Sequence, residues 1–279
     1  IVVGYSVAGG MMAGIYTDVL QGELVALASV HVFVYALGSG GGMGGLSRTV
    51  LAADPAWLGP WGRMAPLAAL SLFLVFGMGA LGQPHVVHKF YMIRDARRLR
   101  WYPMLMTLAL MVTLLLYFGV GFAVKALVSR GALPPLARPD DATPTFLLHS
   151  TPVLLSALVF SGVAAAIMST VNSFMNIAAA AVTHDLPLAF GSRMPHELRW
   201  GRISTVVLAL VSAVVAQRSG TLVALLGIFG WGLFASTLVP SLAIGLSWPG
   251  ATRGGAVASI ATGLVLTLGL ETAAFFHRL

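Results

Sequence analysis

Seven apolar runs divide the chain, at about residues 13–38, 65–88, 101–127, 152–184, 201–217, 221–247 and 256–276. A helix rises ~1.5 Å per residue, so runs of this size match the ~30 Å hydrocarbon core of a bilayer. The apolar residues are continuous rather than alternating, which favours spanning helices over a barrel. The pattern predicts an all-α, polytopic membrane protein with about seven transmembrane helices.

Polar positions inside two runs break this uniformity. In the fourth run, Ser169, Asn172, Ser173 and Asn176 recur at i, i+3, i+4 and i+7. On a helix they form one stripe, with Thr170 beside it and Ala166 one turn before. The stripe offers hydroxyl and amide oxygens without charge, a donor set that suits a hard monovalent cation. The same residues equally suit hydrogen bonding to a neighbouring helix or to their own backbone. The preceding Ser161, Gly162, Ala164, Ala165 and Ala166 would let another backbone come close.

The second run ends with Gly77, Gly79, Gly82 and Pro84 within eight residues. That density weakens an α-helix badly. Broken helix is tolerated in a membrane where it is buried in protein or lines a cavity, and transporters place ligands at such breaks. A proline-kinked helix end is the plainer alternative. His85 and His88 are spaced i, i+3, but two histidines without a nearby carboxylate make a weak metal signal.

Composition narrows the classes. Charged residues make up 9% and hydrophobic ones 58%, far from the ~25% charge of a soluble domain. Mean hydropathy is +0.90. No cysteine is present, which excludes a disulfide, a thiolate nucleophile and a Cys-based zinc site. No H-E-x-x-H, G-x-S-x-G or paired catalytic carboxylates appear, so an intramembrane enzyme is disfavoured. The net charge of +7 sits in short loops, as orientation signals do, and no aromatic-interleaved basic patch suggests nucleic acid.

Five basic residues between Lys89 and Arg100 mark a cytoplasmic loop. Span three then runs outward, Val128–Thr151 is an outer loop, and the fourth run delivers His184 and Asp185 to the inside. Ser39–Gly62 reads as an outer loop with a short interfacial helix. Gly9 and Gly10 fit a tight turn between one span and the next. Asp18 lies at or inside the membrane boundary. An ionisable group there is costly and a functional candidate, although a helix-start carboxylate favoured by the dipole has the same signature.

Several stretches also resemble one family. Ala165-Ala166-Ile167-Met168-Ser169-Thr170-Val171-Asn172-Ser173, followed by His184-Asp185, resembles the ion-binding helix of the sodium/solute symporter family. Gly9-Gly10-Met11 with Ala13, then Thr17-Asp18 and Gln21, resembles one of its signatures. Gly82-Gln83-Pro84-His85 is similar to its proline-transporting members. Trp248–Ala256 looks like a second signature, with altered spacing. The resemblance implies a LeuT-type inverted-repeat fold, partial here, with sites near the bilayer midplane.

It also implies sodium as the coupling ion, held by the Ala166 carbonyl and the Ser169 and Thr170 hydroxyls. The helical spacing agrees, because Thr170 can bond the Ala166 carbonyl at i−4 and tilt it outward. Asp18 would lie on the ion path, and Gln83, Pro84 and His85 at the solute. The expected activity is sodium-driven uptake of a small organic solute, most simply a proline-like amino acid. Neither an organic cofactor nor nucleic acid would take part. The expected location is a bacterial plasma (inner) membrane. The resemblance further suggests one transmembrane domain over residues 1–279, cut from a longer protein that carries further helices at both ends. A transporter-like sensor domain of a signalling protein is the alternative.

The basic run generates a topology prediction. In the parent protein, a cysteine at Ala96 should react with an impermeant thiol reagent only after the cytoplasmic side is opened. A cysteine at Ala142 should react from outside. Reversed labelling would overturn the orientation.

Overall fold

The computed structural model describes residues 2–219 and 223–277, which form helices and no strand. Among them, seven stretches are long and apolar enough to cross a membrane, running from Gly14–Ser39 to Arg253–Ala274. These match the seven runs read from hydropathy. The chain divides into two compact units. One takes Ile1–Arg63 and Asp95–Gln217, the other Met64–Arg94 and Arg218–Leu279.

The first unit is built on α1 (Val2–Ser39), a single helix of 38 residues. The turn expected at Gly9–Gly10 is absent. Glycine costs a helix ~1 kcal/mol, which apolar neighbours on both sides override when no proline or Asx turn forces a stop. The true turn lies after Ser39. There Gly41 and Gly42 take positive φ, 78° and 77°, and a side chain on Gly40 would collide with Leu46. The chain then enters α2 (Gly42–Ala53) and a 3₁₀ turn (Pro55–Leu58), longer helical structure than the loop read from sequence.

In the second unit, α3 (Pro66–Gly79) gives way to a 3₁₀ turn at Ala80–Gly82. Gln83 is extended, and Pro84 opens α4 (Pro84–Tyr91). This is the break that the glycines and proline predict. The unit continues with α10 (Val223–Val239), a π-turn at Pro240–Ile244, α11 (Gly245–Ser247) and α12 (Arg253–His277). The missing amide of Pro240 accounts for the π-turn. A Cβ on Gly82 would lie 2.6 Å from the Phe234 carbonyl, and one on Gly263 2.3 Å from that of Ser236. Small residues therefore allow α10 to meet both neighbours at backbone distance.

Back in the first unit, a 3₁₀ turn (Ala96–Trp101) leads into α5 (Tyr102–Ser129). The segment read from sequence as an outer loop holds a helix that hydropathy did not reveal, α6 (Ala142–Ser150). Next come α7 (Val153–Ala180), a π-turn at Ala181–Asp185, α8 (Leu186–Ala189) and α9 (Glu197–Ser219). The packed core gathers at one end of this unit. Ala28, Val32 and Ala36 of α1 meet Val120, Ala123 and Leu127 of α5, with Leu46, Val50, Phe146 and Leu147 closing over them. Gly119 sits against the backbone of Phe33 and Gly162 against Ala28; an added Cβ would be 3.0 Å from either.

A polar clamp ties α2 to α5 at this end. The Asp54 carboxylate, 7% exposed, accepts from Lys125 Nζ at 2.9 Å and pairs with Arg63 at 2.9 Å. Arg130 Nε donates to Thr49 Oγ1 at 2.9 Å. The hydrogen bond from Lys125, helped by Arg63 and opposed by burial, holds Asp54 below its ordinary value of 3.8. A carboxyl lowered on folding stabilises the fold above its unfolded value and loses that contribution as pH falls through the folded value. Asp54→Asn should therefore lower the thermal midpoint in detergent at pH 7. The gap from the parent protein should close as pH drops below about 4. An unchanging gap would show that the carboxylate charge is not what holds the clamp.

Candidate functional site

The polar stripe on α7 has two different surroundings. Its later residues face α1. Asn172 is 1% exposed and Ser173 2%. Ser6 Oγ donates to Asn172 Oδ1. Asn176 Nδ2 donates to the same oxygen and to the Asn172 carbonyl, each at 2.9 Å. Gly14 provides the room, since a Cβ there would lie 2.2 Å from Asn172 Nδ2. These amides join two helices.

The earlier residues open onto a cavity of about 560 Å³ in the first unit. Ala166, Ser169 and Thr170 line it from α7, Asp18 and Gln21 from α1, and Thr113 from α5; its other walls are apolar. Thr170 Oγ1 donates to the Ala166 carbonyl at 3.1 Å. A hydroxyl that spends its proton in this way keeps its lone pairs for a cation. Asp18 is half-buried. Gln21 is 8% exposed, and its Oε1 is buried with no hydrogen-bond partner among the described residues. The cavity wall thus combines the Asp18 carboxyl, the hydroxyl residues Thr113, Ser169 and Thr170, the Ala166 carbonyl that accepts from Thr170, and Gln21 with its buried, unpartnered Oε1. Oxygen donors of this kind suit a small, hard cation.

Four of the residues singled out from sequence therefore share one cavity: Asp18, Ala166, Ser169 and Thr170. Gln83, Pro84 and His85 belong to the second unit. Gln83 is fully buried there. Its Nε2 donates to the Gly79 carbonyl at 3.3 Å, and its Oε1 has no partner among the described residues. Pro84 starts α4 and His85 is half-buried. No group of three or more His, Asp or Glu side chains able to hold a metal occurs among the described residues. Sequence reasoning did not assign Gln21 a role, although it lies one helical turn from Asp18. It also did not pair His184 with Glu197, whose Nδ1 and Oε1 stand 2.5 Å apart across thirteen residues. Only the fold brings that second pair together.

The profile of the sodium:solute symporter family matches residues 1–263. The chain belongs to this family. Curated relatives include the osmoregulated proline transporter OpuE of Bacillus subtilis (strain 168), 29% identical over 282 residues. That match covers 96% of this chain and 55% of OpuE. A sodium/proline symporter of Staphylococcus aureus (strain bovine RF122 / ET3-1) is 28% identical over 278 residues, covering 96% and 53%. The symporter of strain JH9 matches to the same extent. The chain spans about half the length of the curated relatives it matches. No solved structure matches it significantly. These relatives are transporters, not enzymes, and give no support to the sensor alternative. With seven helices among the described residues long and apolar enough to cross a membrane, this family member is an integral, multi-pass protein of the plasma membrane.

The division of the stripe gives a prediction. Asn172→Ala should destabilise the protein by about 1–3 kcal/mol, because Ser6 and Asn176 lose a buried partner. Gly14→Val should do so too, by pushing α1 off Asn172. Thermal unfolding in detergent measures both. Unchanged midpoints would mean that this contact does not hold α1 to α7.

Proposed function

We propose that this chain is part of a sodium-coupled symporter, one transport domain of a longer protein, and that its solute is proline or a similar small amino acid. Sodium is the coupling ion, held by the Ala166 carbonyl and the Ser169 and Thr170 hydroxyls. Asp18 lies on its path. Gln83, Pro84 and His85, at the broken helix, contact the solute. The observation that carries this reading is the shared cavity. Residues 148 or more positions apart in sequence, Asp18 on α1 and Ala166, Ser169 and Thr170 on α7, line one space with oxygen donors. Family membership and the names of the relatives support the choice of ion and of solute class.

The mechanism needs no covalent step. Sodium entering a site poor in water exchanges its hydration for fixed oxygens. The membrane potential adds about 2.3 kcal/mol per charge per 100 mV. Three neutral ligands bind weakly, so the half-buried Asp18 carboxylate raises the local cation concentration without trapping the ion.

Ser169→Ala or Thr170→Ala removes a ligand from a desolvated cation. The expected cost is about 1.5–3 kcal/mol, by analogy with hydrogen bonds to charged groups, or roughly ten- to a hundredfold in sodium affinity. Ser169→Thr and Thr170→Ser keep the oxygen and should be milder. The measurement is the sodium concentration giving half-maximal proline uptake by the full-length protein. Asn172→Ala, where it still inserts, should shift that concentration less. If both alanine variants keep the parent value, the hydroxyls are packing residues and the sodium assignment fails.

A further inference from the structure

The 3₁₀ turn Ala96–Trp101 carries charge that the sodium site does not use. Arg97, Arg98 and Arg100 are all exposed. Among the described residues, no carboxylate pairs with any of the three guanidinium groups. Asp95, the one nearby acid, is engaged in capping: its Oδ1 accepts from the Arg97 amide at 3.0 Å. A 3₁₀ helix repeats every three residues, so side chains at i and i+3 eclipse. Arg97 and Arg100 therefore share one ridge and Arg98 and Trp101 the next. Leu99 and Ala96 form the third, where Leu99 is half-buried. The turn thus presents its charge on two adjacent ridges, and on the third only Leu99 is half-buried while Ala96 stays exposed.

Its position along the chain gives this charge a level in the membrane. Trp101, half exposed, sits where the turn becomes α5, and the Arg100 guanidinium lies over its ring at 5.3 Å from the centroid. Exposed Met104, Leu105 and Leu108 follow directly. Tryptophan at such a boundary marks the headgroup level. At ~2.0 Å per residue, Arg97 and Arg98 stand about 6–8 Å beyond the ring, on the water side of it. Lipid phosphates occupy that layer. Guanidinium is the group that grips phosphate with two parallel hydrogen bonds.

We propose that Ala96–Trp101 is a binding site for anionic phospholipid headgroups, with Arg97, Arg98 and Arg100 holding the phosphates and Trp101 fixing the depth. The ligand is a lipid of the leaflet, not a free anion. Charge complementarity argues for it, together with the apolar surface that begins one residue later.

The test uses the full-length protein in nanodiscs of phosphatidylcholine doped with phosphatidylglycerol carrying a fluorescent acyl chain. Energy transfer from a dye on a cysteine at Ala96 reports lipid gathered at the turn. The parent protein should enrich phosphatidylglycerol over phosphatidylcholine carrying the same dye. Each of Arg97→Gln, Arg98→Gln and Arg100→Gln should weaken this about fivefold. The Arg97→Lys, Arg98→Lys, Arg100→Lys triple variant should keep much of it, because charge survives without the bidentate grip. Equal transfer for both lipids, or full enrichment in every glutamine variant, would overturn the proposal. So would loss of enrichment on adding millimolar glycerol phosphate, which would identify a free-anion site. The singles keep the test decisive if a multiple variant fails to insert.

Discussion

A hydrocarbon solvent offers no hydrogen bond, and this constraint organises the protein. Every polar group on a spanning helix must find its partner inside the protein or face an aqueous space. The α7 stripe meets the demand in two ways. Asn172 and Asn176 are satisfied by each other and by Ser6, so they fasten α7 to α1. Ser169 and Thr170 lie a turn away and face a cavity. Thr170 satisfies its own donor on the Ala166 carbonyl, which leaves acceptors as the surplus. A surface with surplus acceptors attracts cations, and thus one periodic pattern yields both a fastening and a candidate site.

The packing is unequal along the first unit for the same reason. Where α1, α5, α2 and α6 meet, glycines and alanines bring backbones close and large apolar side chains fill the gaps. Lipid does not drive this association, so close van der Waals contact must supply it. Toward the other end of α1 and α7 polar side chains replace that core, and cavities of about 560 and 600 Å³ open. The contrast suits the proposed transport function: a fixed end gives a reference, while polar, less packed surfaces exchange water and ligand at lower cost.

Much of this was legible in the sequence. The spans follow from hydropathy alone, because lipid imposes a minimum length. The break at Gly82–Gln83–Pro84 follows from local chemistry, since proline has no amide to give and glycine weakens the turn before it. The stripe follows from helical period. What escaped was tertiary. Gly9–Gly10 has the composition of a turn but is carried through by the helix on either side. The α6 helix lies among prolines and is held by Phe146 and Leu147 reaching a core that no local window contains. Gln21 became a site candidate only when the fold placed it in the wall of one cavity with Ser169 and Thr170, its Oε1 buried and unsatisfied.

The second unit shows the same logic at a backbone break. Gln83 is fully buried, and its amide nitrogen bonds to Gly79, one turn back. It thereby adds a side-chain donor at the carbonyl from which the 3₁₀ turn starts. Its own carbonyl oxygen stays unsatisfied, a cost of about 1–3 kcal/mol if nothing ever reached it. A leucine of similar volume would carry no such cost. On the proposed function, that oxygen is the acceptor that a bound solute would satisfy. The proposed solute, with a primary or secondary ammonium donor, has the chemistry to do so. Under that proposal, the expense of an unsatisfied Gln83 would favour loading, because the solute would relieve a penalty that the free protein carries.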